Sequence, residues 1–218
     1  MKNIKIILSI LLVIFALTSC SEDDTSQVAD SESQVQEELE VQGLQPVIGI
    51  VENLYAPAST FTKFSFLEGK KVTGDNWDIA FSGTKIIVNG GDRAGLSGEP
   101  DRMFDAAVAF EAGFFKTIKE VPVDSDFRQD KKNALAIPNK SLKGWFLETY
   151  DAEQIKPLKG KIFLIKTHNA CYAKLEIISY YKDKADFEIL YGNIPDKFKS
   201  FYTFNYAYNP NKGDTSFQ

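Results

Sequence analysis

The distribution of apolar and polar residues changes at about residue 47. From there to the C-terminus, apolar residues fall in short runs, many of them alternating with polar residues: 61–67, 77–81, 84–88, 161–167, 172–181 and 201–208. Alternation with a period of two is typical of strands with one buried face. In the second run it places Trp77, Ile79 and Phe81 on one face. The pattern predicts a mostly β domain over residues 47–218.

The clearest strand signals lie in the C-terminal part of the domain. Runs 161–167 and 172–181 flank a tight connection at 168–171, which predicts a β-hairpin. The run 201–208 has one aromatic face, formed by Tyr202, Phe204, Tyr206 and Tyr208. Thr203, Asn205 and Ala207 fall on the other face, so a half-buried strand is expected.

Helical signals are weak. The best is 101–110, where Asp101 is suited to cap a short helix or turn. The segment 89–100 is rich in Gly and polar residues, and 121–144 has few apolar positions, so both are predicted to be loops. An antiparallel sheet protein with long loops and little helix fits this pattern best.

The N-terminus has the pattern of a lipoprotein export signal. Lys2 and Lys5 precede the apolar run 6–17, and small residues then lead to Cys20. The run is shorter than the roughly 20 residues that a spanning helix needs. We therefore expect a signal peptide at 1–19 and lipid attachment at Cys20. A short transmembrane anchor that stays attached is the alternative.

Residues 20–46 are expected to be a flexible tether. The stretch 21–46 contains eight acidic residues, no Lys or Arg and no aromatic residue, so it cannot bury a core. Its start, Ser21–Asp24, resembles the acidic export signal of Bacteroidetes surface lipoproteins, which favours the cell surface over a periplasm-facing anchor. Residues 47–218 hold 22 acidic and 23 basic residues, so nothing suggests a nucleic-acid partner.

Several enzyme classes lack their residues. His168 is the single histidine, and there is no Gly-x-Ser-x-Gly, His-Glu-x-x-His, Cys-x-x-Cys or phosphate-loop motif. Cys171 is the only cysteine of the mature domain, and we expect it to be a packed apolar residue. A binding protein is favoured over an enzyme. A surface enzyme that uses two carboxylates stays as a weaker alternative without a residue pair to name.

Five segments, in order along the chain, resemble HmuY-like haem-binding lipoproteins. They are Trp77–Phe81 with Asn89–Gly91, Thr117–Asp124, Gly144–Trp145, the hairpin strands 162–167 and 172–181, and Tyr202–Tyr206. The resemblance implies a hand-shaped fold with an antiparallel two-layer sheet and a haem held between loops at one edge. It also implies an outer-membrane lipoprotein that passes haem to a TonB-dependent receptor.

The resemblance further indicates where haem-iron ligands would lie. Well-known members use two histidines and related ones two methionines, but the loop before Gly144 contains neither here. The family's second ligand falls five residues after the Trp, which is Tyr150, and a tyrosinate can ligate ferric haem. Met103, the only methionine of the mature chain, is the second candidate. His168 ranks third, because its hairpin turn is not at the family's haem edge, and we expect it to be a solvated turn residue.

Aromatic residues in the loops are suited to a porphyrin slot, with cations for the propionates at its rim. The aromatic candidates are Phe110, Phe114, Phe115, Phe127, Trp145, Phe146 and Tyr150, and the cationic ones are Arg102, Arg128, Lys131 and Lys132. For Phe114 and Trp145 we expect core positions.

Two functions therefore stay open. One is haem binding for uptake, with an unusual ligand. The other is a HmuY-fold surface lipoprotein that has lost haem ligation and binds another ligand or a protein partner, since fold does not fix function.

Overall fold

The computed structural model describes residues 43–149, 154–185 and 194–218, and it contains the predicted antiparallel sheets. The strands are β1 Val47–Tyr55, β2 Thr62–Ser65, β3 Lys70–Val72, β4 Ile79–Ser82, β5 Lys85–Val88, β6 Ala107–Ala112, β7 Phe146–Glu148, β8 Ile155–Pro157, β9 Lys161–Lys166, β10 Tyr172–Tyr181 and β11 Lys199–Asn209. Two short 3-10 turns, Lys182–Lys184 and Asp196–Phe198, are the helical segments of the described chain.

Three sheets are formed by these strands. A five-stranded sheet has the order β1-β11-β10-β9-β6, and a four-stranded sheet has the order β3-β2-β4-β5. The hairpin β7–β8 is separate from both. All named strand pairs are antiparallel, and the connection between β9 and β10 is the tight turn that the sequence predicted.

The main core lies between the two large sheets. The aromatic face of β11 packs against the four-stranded sheet, with Phe204 5.3 Å from Phe64 and Tyr202 4.6 Å from Phe81 between ring centroids. All four predicted aromatic residues of β11 belong to this core. The period-two pattern therefore identified the inner face of β11 correctly.

The predicted face of Trp77 is wrong. Strand β4 begins at Ile79, and Trp77 lies before it. The alternation of side chains between the two faces of the sheet therefore does not extend to Trp77. Ile79 and Phe81 enter the main core, whereas Trp77 packs on the other side of the sheet with Ala80 and Ile87.

The helix expected at 101–110 is also wrong. Ala107–Ala112 forms strand β6, which pairs along its whole length with β9 at the edge of the five-stranded sheet. Before it, Phe104 and Asp105 make isolated bridges to Gly90. A long-range partner strand thus decided the conformation of a segment whose local signals were weak.

The outer face of β11 is more buried than a half-buried strand would be. Thr203 and Ala207 are fully buried there. Ala207 belongs to a second apolar cluster with Leu164 and Phe217 on the outer face of the five-stranded sheet. The loop after β6 covers this face and completes a second apolar core.

Candidate functional site

A cleft of about 570 Å³ lies between the hairpin β7–β8 and the second half of β10. This volume is in the range of small-molecule sites, roughly 300–1,000 Å³. Its apolar lining includes Phe114, Ile155, Pro157, Ile177, Tyr180 and Tyr181. In two other concave regions, charged residues make up a larger share of the lining. The cleft is therefore the candidate site for an apolar ligand.

The hairpin β7–β8 is fixed to the body by hydrogen bonds at its base. The Trp145 indole Nε1 donates to the Thr84 carbonyl at 2.8 Å, and the Leu158 amide donates to the Trp145 carbonyl at 2.9 Å. The Ile155 amide donates to the Tyr181 hydroxyl at 2.8 Å. Trp145 is buried, which confirms the core position expected for it. These contacts make the hairpin one wall of the cleft.

Tyr150 and the three residues after it lie outside the described residues. The last described contact of the hairpin is a hydrogen bond of 2.9 Å from the Thr149 amide to the Gln154 carbonyl. The role of Tyr150 as an iron ligand therefore stays a prediction. Cys20 also lies outside the described residues.

Two buried phenols shape the floor of the cleft. The Tyr180 hydroxyl is 2.9 Å from the Ser200 hydroxyl, and the Tyr181 hydroxyl accepts the Ile155 amide. Burial raises the pKa of both phenols above the ordinary value near 10. Both side chains are therefore neutral at physiological pH, and they are poor candidates for tyrosinate ligands.

Phe114 is exposed rather than part of the core, so the expectation for it is wrong. Its side chain is 77% exposed, and it lines the cleft. The Phe114 carbonyl accepts hydrogen bonds from the amide and the hydroxyl of Thr117, both at 2.9 Å, so the chain turns back directly after it. A turn on the surface holds an aromatic ring in solvent, where it is available for an apolar ligand.

The polar lining of the cleft has more positive than negative residues. Lys156, Lys159 and Lys184 line it together with Glu176. Lys184 pairs with Glu52 of β1. A positive rim around an apolar slot is suited to a flat apolar molecule with carboxylates at one edge.

Arg102 is not a rim cation, in contrast to the expectation. Its side chain is 2% exposed, and its Nη2 lies 2.9 Å from Asp130 Oδ2 and 3.2 Å from Glu99 Oε2. The guanidinium also lies 5.8 Å from the centroid of the Trp77 ring. The buried carboxylates of Glu99 and Asp130 require a cationic partner. Arg102 supplies it and therefore has a structural role.

Met103 lies away from the cleft. It is 57% exposed, and its amide donates to Asn89 Oδ1 at 2.9 Å. The next residue, Phe104, packs against His168 with 5.3 Å between ring centroids. His168 precedes the start of β10, and the cleft lies beside the second half of this ten-residue strand, which begins roughly 13 Å from the start of the strand. The structure does not bring Met103 to the hairpin that leads to Tyr150.

His168 is not solvated, so that expectation is wrong. Its side chain is 8% exposed, and Nδ1 lies 2.7 Å from Oδ1 of the buried Asp78. The His168 amide donates to the same oxygen at 2.8 Å, and the Phe66 amide donates to Asp78 Oδ2 at 2.7 Å. Asp78 thus links the four-stranded sheet to the β9–β10 turn, and sequence reasoning missed it.

Other chemistry is sparse in the described part of the chain. Cys171 is buried, as expected, and its thiol donates to the Pro210 carbonyl at 3.3 Å. No group of three or more His, Cys, Asp or Glu residues suitable for a metal ion occurs among the described residues. Within the same residues, no helix has the length and apolar character to cross a membrane.

Comparison with solved structures shows a related fold. The apo HmuY analog of Tannerella forsythia superposes with a TM-score of 0.53 at 14% identity, covering 78% of this chain and 100% of that one. A candidate HmuY-like haem-binding protein of Bacteroides vulgatus has a TM-score of 0.46 at 14% identity, covering 75% and 93%. A candidate lipoprotein of Bacteroides fragilis has 0.39 at 16%, covering 75% and 92%.

Sequence comparison gives the family. No curated protein significantly matches this chain. The sequence model of the HmuY protein family, however, matches residues 57–191. This range includes the hairpin β7–β8, strand β10 and the wall residue Phe114. The chain therefore belongs to the HmuY protein family.

Proposed function

We propose that the protein is an outer-membrane lipoprotein that binds haem in the cleft beside the hairpin β7–β8. The observation that carries this proposal is the exposed Phe114 in the wall of an apolar cleft, in a chain of the HmuY family. Exposure of an aromatic ring to water is unfavourable. A flat apolar ligand that covers the ring would remove this apolar surface from water and so gain binding free energy.

The described lining of the cleft fits the body of a haem. Ile155, Pro157 and Ile177 supply aliphatic contacts, and Phe114 supplies an aromatic face. Lysines at the rim can pair with the propionates, as charge-assisted hydrogen bonds favour. Bound haem would be cargo in this role, and the chain's own residues hold and shield it.

The described lining residues do not supply an evident axial ligand for the haem iron. Among the described lining residues, the phenols of Tyr180 and Tyr181 are already hydrogen-bonded. We therefore retain Tyr150, which directly follows Thr149 in the sequence, as the proposed iron ligand. Met103 is retained only as a second candidate, because its loop lies at the other end of β10.

The same observations favour a second candidate function. The imidazole of His168 and the thioether of Met103 lie away from the cleft, so the described cleft lacks the ligands that well-known members use. A HmuY-fold lipoprotein that binds another apolar, anionic ligand or a protein partner would have these features. The titration described next separates the two functions.

Titration of the detergent-solubilised full chain with haemin is expected to give a saturable Soret shift. Tyr150→Phe should abolish this shift, because Phe cannot ligate iron. Phe114→Ala should weaken binding about fivefold to tenfold through lost stacking. Met103→Ala tests the second candidate ligand: it should keep the shift, and loss of the shift in this variant rather than in Tyr150→Phe would assign the iron to Met103. A wild-type spectrum without a specific shift at micromolar haemin would instead support the second function.

Lipid attachment at Cys20 is proposed together with the signal peptide at 1–19 and the tether at 20–46. Radiolabelled palmitate should be incorporated into the wild type and into Cys171→Ala, but not into Cys20→Ala, because only the first cysteine follows the apolar run. Incorporation into Cys20→Ala would contradict attachment at Cys20, and an unlabelled wild-type chain that keeps its full length would favour the transmembrane anchor.

Transfer of haem to a TonB-dependent receptor, and exposure at the cell surface, complete the proposal. Transfer rests on the family resemblance, and exposure at the cell surface rests on that resemblance and on the acidic residues after Cys20. The cleft is open toward solvent beside Phe114, which leaves one edge of a bound ligand accessible to a receptor.

A further inference from the structure

Lys174 occupies an unusual place in the middle of strand β10. It pairs with Ala207 of β11 on one side and with Leu164 of β9 on the other. Both neighbours belong to the apolar cluster on the outer face of the five-stranded sheet. Lys174 is only 4% exposed. An ammonium group at such a position costs free energy unless its donors have partners.

The partners of Lys174 come from the loop that covers this face. Its Nζ donates to the Phe115 carbonyl at 2.7 Å and to the Ile118 carbonyl at 2.5 Å. The rings of Phe115 and Phe217 lie 4.4 and 5.3 Å from Nζ, within the range of a cation–π contact. No carboxylate of the described residues pairs with Lys174.

The ammonium stays largely protonated at neutral pH. Burial, and secondarily the like charge of Lys119, lowers the pKa of Lys174 to about 8. At pH 7 most molecules therefore carry the charged group, which has three donors and no acceptor. Two of these donors are used by the carbonyls of the loop.

The loop, residues 113–121, is called the strap here. The Gly113 amide donates to the Gly160 carbonyl at 3.0 Å, and the Val121 amide donates to the Thr215 carbonyl at 3.0 Å. Between these ends lies the turn that exposes Phe114 to the cleft. The two carbonyls bound by Lys174 lie on this turn and just after it.

We propose that Lys174 is a positioning residue for the cleft, whose ammonium fixes the turn of the strap so that Phe114 stands in the cleft wall. This inference rests on the proposed function. Without the ammonium, two carbonyls near the sheet lose their donors and the turn is free to move. Phe114 can then leave the wall to reduce its exposure. A cleft wall that is already ordered in the free protein reduces the conformational entropy lost when the ligand binds.

The test is a double-mutant cycle on haemin affinity in the detergent-solubilised full chain. Lys174→Met keeps the length of the side chain and removes its donors, and it should weaken haemin binding by at most as much as Phe114→Ala does, about fivefold. Lys116→Met, on an exposed residue of the same strap, should change affinity less than about twofold. In the Phe114→Ala background, Lys174→Met should have no further effect, because its influence passes through that ring.

Hydrogen exchange supplies the local readout. Amides of the strap should exchange faster in Lys174→Met, whereas those of β4 and β5 should not, which separates loosening of the strap from general destabilisation. If Lys174→Met does not fold, Lys174→Leu, which also removes the donors and is compatible with the apolar cluster on this face, replaces it in the cycle.

Each outcome decides one proposal. Wild-type affinity in the Lys174 variant, or effects of the two substitutions that simply add, would overturn the positioning role and leave haem binding intact. Absence of specific haemin binding by the wild type would overturn the proposed function instead. Weaker binding that disappears in the Phe114→Ala background supports the role of Lys174.

Discussion

Replacing Asp130 with alanine should lower the free energy of unfolding by about 3–5 kcal/mol. Asp130 is fully buried and accepts the amides of Val88 and Ala136 at 3.0 and 2.9 Å, besides Arg102 Nη2 at 2.9 Å. Burial raises the pKa of Asp130 even though these donors oppose the shift. The substitution leaves two buried amides without acceptors and leaves the buried guanidinium with Glu99 alone. Urea unfolding followed by circular dichroism measures the loss.

Asp126→Ala is the matched control for this experiment. Asp126 also pairs with an arginine in the same loop, but the Asp126 and Arg128 side chains are 72% and 58% exposed. Exposed pairs contribute little, so the change should stay below about 1 kcal/mol. Equal effects of the two substitutions would show that the buried cluster of Arg102, Glu99 and Asp130 does not stabilise the fold.

Replacing Gly144 with alanine should lower the free energy of unfolding by about 3 kcal/mol and abolish haemin binding. A Cβ at Gly144 would lie 1.9 Å from the Pro138 carbonyl oxygen. Both atoms belong to the backbone or are fixed to it, so the chain must shift. The next residue, Trp145, anchors the hairpin β7–β8, and the cleft would lose this wall. Thermal unfolding and the haemin titration measure the two effects.

Gly74→Ala is the control for the glycine substitution. A Cβ at Gly74 meets no atom within 4 Å, so this variant should change stability by less than about 0.5 kcal/mol and bind haemin like the wild type. Should Gly144→Ala behave in the same way, the close approach of Pro138 to Gly144 would not limit the choice of residue.

Much of the fold could be predicted because strand formation leaves a local signal. Alternate side chains of a strand point to opposite faces, so the aromatic face of β11 was visible in 201–208 without knowledge of its partners. The hairpin β9–β10 was visible for the same reason, since its turn is short and lies between two such runs. The resemblance to the HmuY family also came from short local motifs, and the family match over residues 57–191 confirms it.

The candidate site was harder to predict, because its residues lie far apart in the sequence. The cleft joins Phe114, the hairpin β7–β8 and the end of β10, and no single segment carries its pattern. Phe114 was expected in the core because it is aromatic, but a turn fixed by Thr117 exposes it. Residue type gives an average tendency to be buried, whereas a single position is decided by the path of the chain.

The burial of charged residues also could not be predicted from the local sequence. The sequence identified His168 and Arg102 as polar residues of interest but gave no sign of their partners. Asp78 lies 90 positions from His168, and Asp130 lies 28 positions from Arg102. The sequence by itself determined strands β2, β4, β5, β9, β10 and β11, the hairpin between β9 and β10 and the family, since these depend on neighbouring residues. Only the tertiary structure decided which polar groups are buried and which aromatic ring faces a ligand, because these depend on contacts between distant segments.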